Sequence, residues 1–145
     1  MLSQLALRSK AHWGYDEDFL ERCREALTLR GADVERRRTA VAELDGPIAG
    51  VAGLVTLEGE PPVGELGMLF VDPAAIGRGV GRLLFQHALT TARDLGFTRL
   101  TLDADPNAEP FYLAMGATRV GTSPSSVIPG RRLPMMFLPV PAATC

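Results

Sequence analysis

"VDPAAIGRGVGRLLFQHAL", residues 71–89, carries Gly77, Gly79 and Gly81 at alternate positions, between an apolar run and a stretch of helical spacing. Glycines at a helix start keep side chains off the backbone. The free N–H groups of the first helical turn, backed by the helix dipole, then favour an anion. A tight turn packed closely on a sheet would account for the same glycines without any ligand. Two familiar phosphate motifs fail on spacing. A P-loop needs Gly-Lys-Ser/Thr, whereas the residues here are Gly81-Arg82-Leu83. A dinucleotide fingerprint needs a sixth-place glycine, and that place is Arg82 counted from Gly77 or Leu84 counted from Gly79. A pyrophosphate cradle of another kind is the reading that remains.

The segments around this stretch frame it. Upstream, "RTAVAEL", "IAGVAGLVTLE" and "VGELGMLFV" read as three strands divided by the turn formers "DGP" and "EGEPP", and such short connections imply antiparallel neighbours. Before them, Leu2, Leu5 and Ala6 suggest a short helix. Asp16 then reads as the N-cap of a second helix that runs through Phe19, Leu20, Cys23, Ala26 and Leu27 until Gly31 stops it. Tyr15 and Leu20 occupy the places of a hydrophobic staple. Downstream, Val80, Leu83, Leu84, Ala88 and Leu95 form one helical stripe closed by Gly96. "TRLTLDAD" is a further strand and "NAEPFYLAMG" a short helix with Pro110 in its first turn. "ATRVGTS" and "LPMMFLPV" read as closing strands, the last limited by Pro134 and Pro139 to an edge or irregular role. The order describes an α/β chain with one crossover between parallel strands, 63–71 to 98–104, and the glycines lie on that crossover.

A chain of 145 residues is one domain's worth, here taken as residues 1–145, and 46% hydrophobic with 22% charged residues is ordinary for a globular protein. A formal charge of −2 offers no general attraction to nucleic acid or anionic membrane, so neither is an expected partner. Cys23 and Cys145 have neither metal spacing nor the density of a disulfide framework. "MLSQLALRSK" lacks the apolar core of a signal peptide, and no stretch approaches a membrane span; a cytoplasmic setting is expected.

Two motifs together carry a resemblance. "LFVDPAAIGRGVGRLL" resembles the acyl-CoA-binding motif of the GNAT superfamily of N-acetyltransferases, in which a strand ending in Val-x-Pro leads to Arg/Gln-x-x-Gly-x-Gly/Ala. "NAEPFYLAMGA" resembles that family's Asn-x-x-x-x-Phe-Tyr-x-x-x-Gly signature. The fold implied is a GNAT-like mixed, mostly antiparallel twisted sheet flanked by helices. Ile76 stands where the family has Arg or Gln. The family's first strand is missing, which a misassigned start codon would explain equally well. The 39–45 strand would then be an open edge, with Arg36, Arg37 and Arg38 at its entry discouraging aberrant pairing.

The resemblance implies acetyl transfer from acetyl-CoA to an amine, small-molecule or peptide, with no metal, in a monomer or a homodimer. The pantetheine arm would pair with main-chain groups of Leu69, Phe70 and Val71. The pyrophosphate would sit on N–H groups from Gly77 to Arg82, Val80 and Gly81 included, with Arg78 and Arg82 available for charge-assisted bonds and side chains at Gly79 or Gly81 in the way. Asn107 would cap its helix and bond the pantetheine arm, and Phe111 would lie beside the cofactor. Tyr112 matches the family's general acid at the CoA sulfur; packing in the core is its plainer role. Glu65, placed by strand alternation on the face of Gly67, Leu69 and Val71, is the candidate base that deprotonates the amine; a solvated carboxylate is its plainer role. Trp13 and Tyr15, in "HWGYDED", are placed to stack on the acceptor, and Arg131 or Arg132, in "SPSSVIPGRR" (123–132), to meet a carboxylate. His12 and His87 read as structural or exposed. The rival from another class is a non-catalytic acyl-CoA sensor that keeps the glycine turn without needing Tyr112 or Glu65.

Overall fold

The computed structural model describes residues 2–24, 27, 31–44, 50–125 and 128–140. Helices α1 (Leu2–Ala11), α2 (Glu17–Cys23) and α3 (Gly31–Arg36) precede strands β1 (Ala40–Leu44), β2 (Gly50–Glu60) and β3 (Val63–Val71). Helix α4 (Val80–Leu95), strand β4 (Arg99–Asp103), helix α5 (Glu109–Ala114) and strands β5 (Thr118–Pro124) and β6 (Arg132–Pro139) complete the chain. Six strands form one sheet in the order β1-β2-β3-β4-β6-β5, and every pairing is antiparallel except β3 with β4. The fold is therefore the mixed, mostly antiparallel α/β sheet expected, with α4 on the crossover.

Asp16 caps α2 as its position suggested, accepting from the Phe19 N–H at 2.8 Å. Tyr15 stacks on Phe19 with ring centroids 4.0 Å apart. Helix α2 ends at Cys23, and Gly31 opens α3 where the sequence had it as a stop signal. Ala26, the "DGP" turn (45–47), Ser126, Val127 and Cys145 lie outside the described residues. Proline did not push β6 to an edge. Pro139 ends the pairing with β4 and Pro134 lies just beyond its other end, opposite Thr122 within the β5 ladder, and β5 is the edge instead.

One face of the sheet carries the main core, where Val80, Leu84, Phe85, Ala88 and Ala92 of α4 pack on Val55, Leu57, Leu66 and Leu100. The stripe differs from the expected one. Leu83 and Leu95 point to solvent, and Phe85 and Ala92 take their places. Phe85 has no exposed surface, and burial of such a ring is worth about 2–3 kcal/mol. The opposite face holds a smaller cluster of Leu5, Leu54 and Met68 beneath α1.

A bulge in β3 divides these faces. Thr56 pairs with Met68 but Leu57 with Leu66, which leaves Gly67 as the extra residue. Leu66 therefore joins the α4 face and Met68 the α1 face, although strict alternation would put both on one side. Glu65 pairs with Glu58 on the α1 face, whereas Leu69 and Val71 pack on the α4 side. The expectation that Glu65 shares a face with Leu69 and Val71 is thus overturned by one inserted residue. Two of the three arginines, Arg37 and Arg38, have internal partners: the Arg37 guanidinium lies 3.6 Å from the Glu58 carboxylate, and Arg38 donates to the Gly59 carbonyl at 3.0 Å. Both reach across to the end of β2.

Candidate active site

The parallel ladder between β3 and β4 holds only Val63–Arg99, Gly64–Leu100 and Glu65–Thr101. Beyond Glu65 the two strands part, and a cavity of about 480 Å³ opens between them, lined by Leu66–Val71 on one side and by Asp103, Asp105 and Asn107 on the other. The Asp72 N–H continues the β2 ladder by donating to Ala52 at 2.7 Å. Main-chain direction alternates along a strand, so Phe70 turns its polar groups to Leu54 while Leu69 and Val71 turn theirs to the fork. Of these, the Val71 N–H already donates to Ser9 Oγ at 3.3 Å. The main-chain contact expected of Leu69, Phe70 and Val71 is therefore open chiefly at Leu69.

At the far end of the cavity the backbone enters α4 through Gly77 and Gly79, with φ of +88° and +76°. L side chains rarely adopt that left-handed region, and among the described residues, chain neighbours aside, nothing comes within 4 Å of a Cβ built at either position. Handedness, and not crowding within the chain, requires these two glycines. Gly79 is the N-cap residue and supplies no side-chain cap, so the first N–H groups of α4 stay available to a ligand. A Cβ at Gly81 would meet Phe111 at 3.4 Å and Val71 at 3.5 Å, so the passage beside it is narrow. Val80, Gly81 and Arg82 line the cavity; Arg78 is exposed and does not.

Phe111 and Tyr112 line the cavity's inner wall. Tyr112 is 8% exposed and packs against Phe85, so its packing role and its place on the wall coexist. Burial, with the negative charge of Asp105 as a second contribution, pushes its hydroxyl far above the ordinary tyrosine range, so it stays protonated.

The sequence of residues 5–117 matches the profile of the acetyltransferase (GNAT) family. The chain belongs to this family. A peptidyl-lysine N-acetyltransferase, YjaB, of Salmonella typhimurium is 33% identical over 102 residues, covering 70% of this chain and 63% of the relative. Its Escherichia coli namesake is 36% identical over 84 residues, covering 58% and 50%. The chain thus spans between half and two thirds of these relatives. Among solved structures, a GCN5-related N-acetyltransferase from Rhodopseudomonas palustris superposes with TM-score 0.74 at 26% identity, covering 94% of this chain and 86% of that one. An N-acetyltransferase from Thermoplasma acidophilum in complex with coenzyme A shares the fold with TM-score 0.73 at 18% identity, covering 94% and 89%.

Glu65 does not line the cavity; it stands at the last rung before the fork, on the α1 face. Partial burial and the charges of Glu58 and Asp103 raise its carboxyl above the usual carboxylate range, with Arg37 opposing them. Glu58 is better supported: it accepts from Thr56 Oγ1 at 3.2 Å and faces Arg37. Its side chain fills the space over Gly67, where an added Cβ would collide with it. This trio of carboxylates was not seen as a group from sequence, because the bulge that places Glu65 beside the other two has no sequence signal stronger than one glycine.

Trp13 lines the cavity and is 43% exposed, with His12 edge-on beside it. Tyr15 does not line it. Its hydroxyl lies 3.0 Å from each Asp105 oxygen and accepts from Asn107 Nδ2 at 3.0 Å and Arg131 at 2.8 Å, so one donor and two lone pairs are all engaged. Arg131 lies over the Tyr15 and Phe19 rings, and Arg132 donates to Thr122 at 2.7 Å; each has an internal partner. Asn107 Nδ2 also donates to Asp105 at 3.0 Å, so its amide hydrogens are engaged and its carbonyl oxygen is the group left for a ligand. Ser9, Lys10 and Asp105, none of them a candidate from the sequence, also line the cavity, as does Asp103. His87 lies in a separate cavity of about 230 Å³ beside β1 and β2. Among the described residues no group of three or more His, Cys, Asp or Glu is placed to hold a metal ion, and no helix is long and apolar enough to cross a membrane.

Proposed function

We propose that the protein transfers an acetyl group from acetyl-CoA to an amine by direct attack, in a single site at the β3–β4 fork. The observation that carries this reading is the early end of the parallel ladder at Glu65–Thr101. It leaves a strand edge open inside the sheet, continuous with a cavity that runs from the uncapped start of α4 to Tyr112. Main-chain N–H groups from Gly79 to Arg82 would hold the pyrophosphate, with the Arg82 side chain adding charge, and Leu69 the pantetheine arm. Acetyl-CoA, when bound, supplies the activated thioester.

The residues of the chain then have separable tasks. Glu65, raised in pKa, is suited to take a proton from an ammonium whose own pKa is near about 10. Its position outside the cavity wall fits transfer through one water. Tyr112, kept protonated by burial, is suited to donate to the departing sulfur. Trp13 forms the acceptor-side wall. The relatives named peptidyl-lysine N-acetyltransferases make a peptide lysine the first acceptor to try, in a cytoplasmic setting.

The test is an acetylation screen of lysine peptides and amine pools with mass detection, run beside thermal shift with acetyl-CoA, NAD and ATP. The expected result is a midpoint rise with acetyl-CoA alone and one amine class gaining the acetyl mass. Binding without transfer to any amine would replace the enzyme by a CoA sensor, and stabilisation by NAD or ATP instead would remove the CoA site.

A further inference from the structure

Five polar side chains from four separate segments meet at the acceptor end of the cavity. Asp105 accepts from Lys10 Nζ at 2.6 Å and from the Asn107 backbone N–H at 2.9 Å, its carboxylate binds the Tyr15 hydroxyl, and the Arg131 guanidinium is 3.7 Å away. The Lys10, Asp105 and Arg131 side chains are only 13%, 10% and 18% exposed. Burial alone would raise the Asp105 carboxyl, but the Lys10 bond and charge, with the bonds from Asn107 and Tyr15, outweigh it and hold it below the usual range. Two cations and several donors thus depend on one anion.

The arrangement joins two walls that the chain makes far apart. Asp105 caps the turn Pro106–Ala108 that leads straight into α5, the helix of Phe111 and Tyr112. Through Lys10 and Tyr15 the same carboxylate holds the end of α1 and the connection that carries Trp13. A further ion pair of α1, Arg8 to Asp72 at 2.8 Å, is more exposed and sits at the glycine end. Exposed pairs hold geometry weakly, buried and fully bonded ones strongly. We propose that Asp105 is a positioning residue that holds the Trp13 wall and the Asn107–Tyr112 segment as one unit, acting through Lys10 and Tyr15. The inference rests on the acetyltransferase reading for its kinetic consequence, but not for its structural one.

Trp13 is the chain's single tryptophan, so its fluorescence reports this wall alone. In the full-length protein, Asp105→Asn, Tyr15→Phe and the double variant would be titrated with CoA while Trp13 emission is followed. Steady-state rates with the best amine of the screen would be measured beside it. Asp105→Asn is expected to diminish the Trp13 response, raise the amine KM and lower kcat about 10²-fold, the scale of an ångström's misplacement. The CoA Kd should stay within about twofold, since the α4 end shares no partner with Asp105. Tyr15→Phe should act in the same direction to a smaller degree, and the double variant should be no worse than Asp105→Asn, because both changes break one chain of contacts. Parent-like Trp13 response and kinetics in Tyr15→Phe, or fully additive losses in the double variant, would overturn the proposal; Tyr15→Phe alone decides if Asp105→Asn fails to fold. If the parent acetylates no amine, the Trp13 titration still decides this inference, and the failure falls on the acetyltransferase reading.

Discussion

At the α4 end of the cavity the groups offered to a ligand are main-chain N–H groups within one short stretch, entered through left-handed Gly77 and Gly79. At the acceptor end the wall is held by side chains bonded to one another, and two of them, Tyr15 and Arg131, are bonded across 116 residues. The first kind of site needs only a helix start and small residues, so it tolerates side-chain change as long as the backbone keeps its course. The second is a network whose members are buried together, and the loss of one strands the rest. Anchorage of α1 repeats the contrast: Lys10–Asp105 is buried and Arg8–Asp72 is open to water.

The largest expected effect sits between the two ends. Tyr112→Phe keeps the ring against Phe85 and removes the hydroxyl, so the thermal midpoint should barely move while kcat falls roughly 10²–10⁴-fold. Retained turnover would leave Tyr112 as a core residue and would place the chemistry wholly on the acceptor side.

Glu65→Gln comes next and tests the carboxylate trio. The drop in kcat/KM should be about 10²-fold near neutral pH, the low end for a general base, and should shrink as pH rises and the amine arrives deprotonated. Its stability effect has the opposite sign. A carboxyl whose folded pKa lies above its unfolded value weakens the fold once pH passes the unfolded value and the group is made to ionise. The variant should therefore be slightly more stable at pH 7, by about 0.5 kcal/mol or less after screening, with the gain absent below about pH 4. Superimposable rate and stability profiles would show Glu65 to be an ordinary solvated acid.

Gly79→Val tests the backbone end. Acetyl-CoA at a hundred times its Kd should stabilise the parent by about 2.7 kcal/mol and the variant not at all. A left-handed β-branched residue also costs about 1–2 kcal/mol, so the unliganded midpoint should fall as well. Arg82→Gln should weaken binding without abolishing it. The reverse ranking would break the contrast between a backbone site and a side-chain site.

The smallest effect is expected at Arg8→Gln. Arg8, with the Ala74 N–H, holds the Asp72 carboxyl below its usual range. A depressed folded pKa adds stability above the unfolded value and loses it as pH falls through the folded one. The variant should cost less than about 1 kcal/mol at pH 7, screened by salt, with the difference fading below pH 4. A loss as large as that from Lys10→Met would deny that burial separates these two ion pairs of α1.

Much of the α4 end could be read in the sequence. Strand 63–71, the glycine turn, Asp16 as a cap and Pro110 in the first turn of α5 all fall where residue type predicts, because each depends on neighbours within about one turn. Other features were misread for equally local reasons. Leu83 and Leu95 suit a helical stripe as well as Phe85 and Ala92 do, and only the sheet beneath α4 selects between them. The bulge at Gly67 reverses the face of Glu65, since a period of two carries no memory of an inserted residue.

What the sequence determined by itself was the family, the mixed sheet with its single crossover, and the glycine-led start of α4. These rest on short-range rules: hydrophobic period, capping chemistry and the left-handed freedom of glycine. Tertiary structure alone decided that Glu65 stands with Glu58 and Asp103, that Tyr15 is bonded to Asp105 and does not line the cavity, and that Asp105 gathers Lys10, Asn107 and Arg131 around it. Apart from Asn107, which lies in the turn that Asp105 caps, those groups come from segments with no local relation. They meet because the β3–β4 ladder ends early and α1 packs over the gap, where a buried charge must find its partners among whatever residues the fold brings within reach.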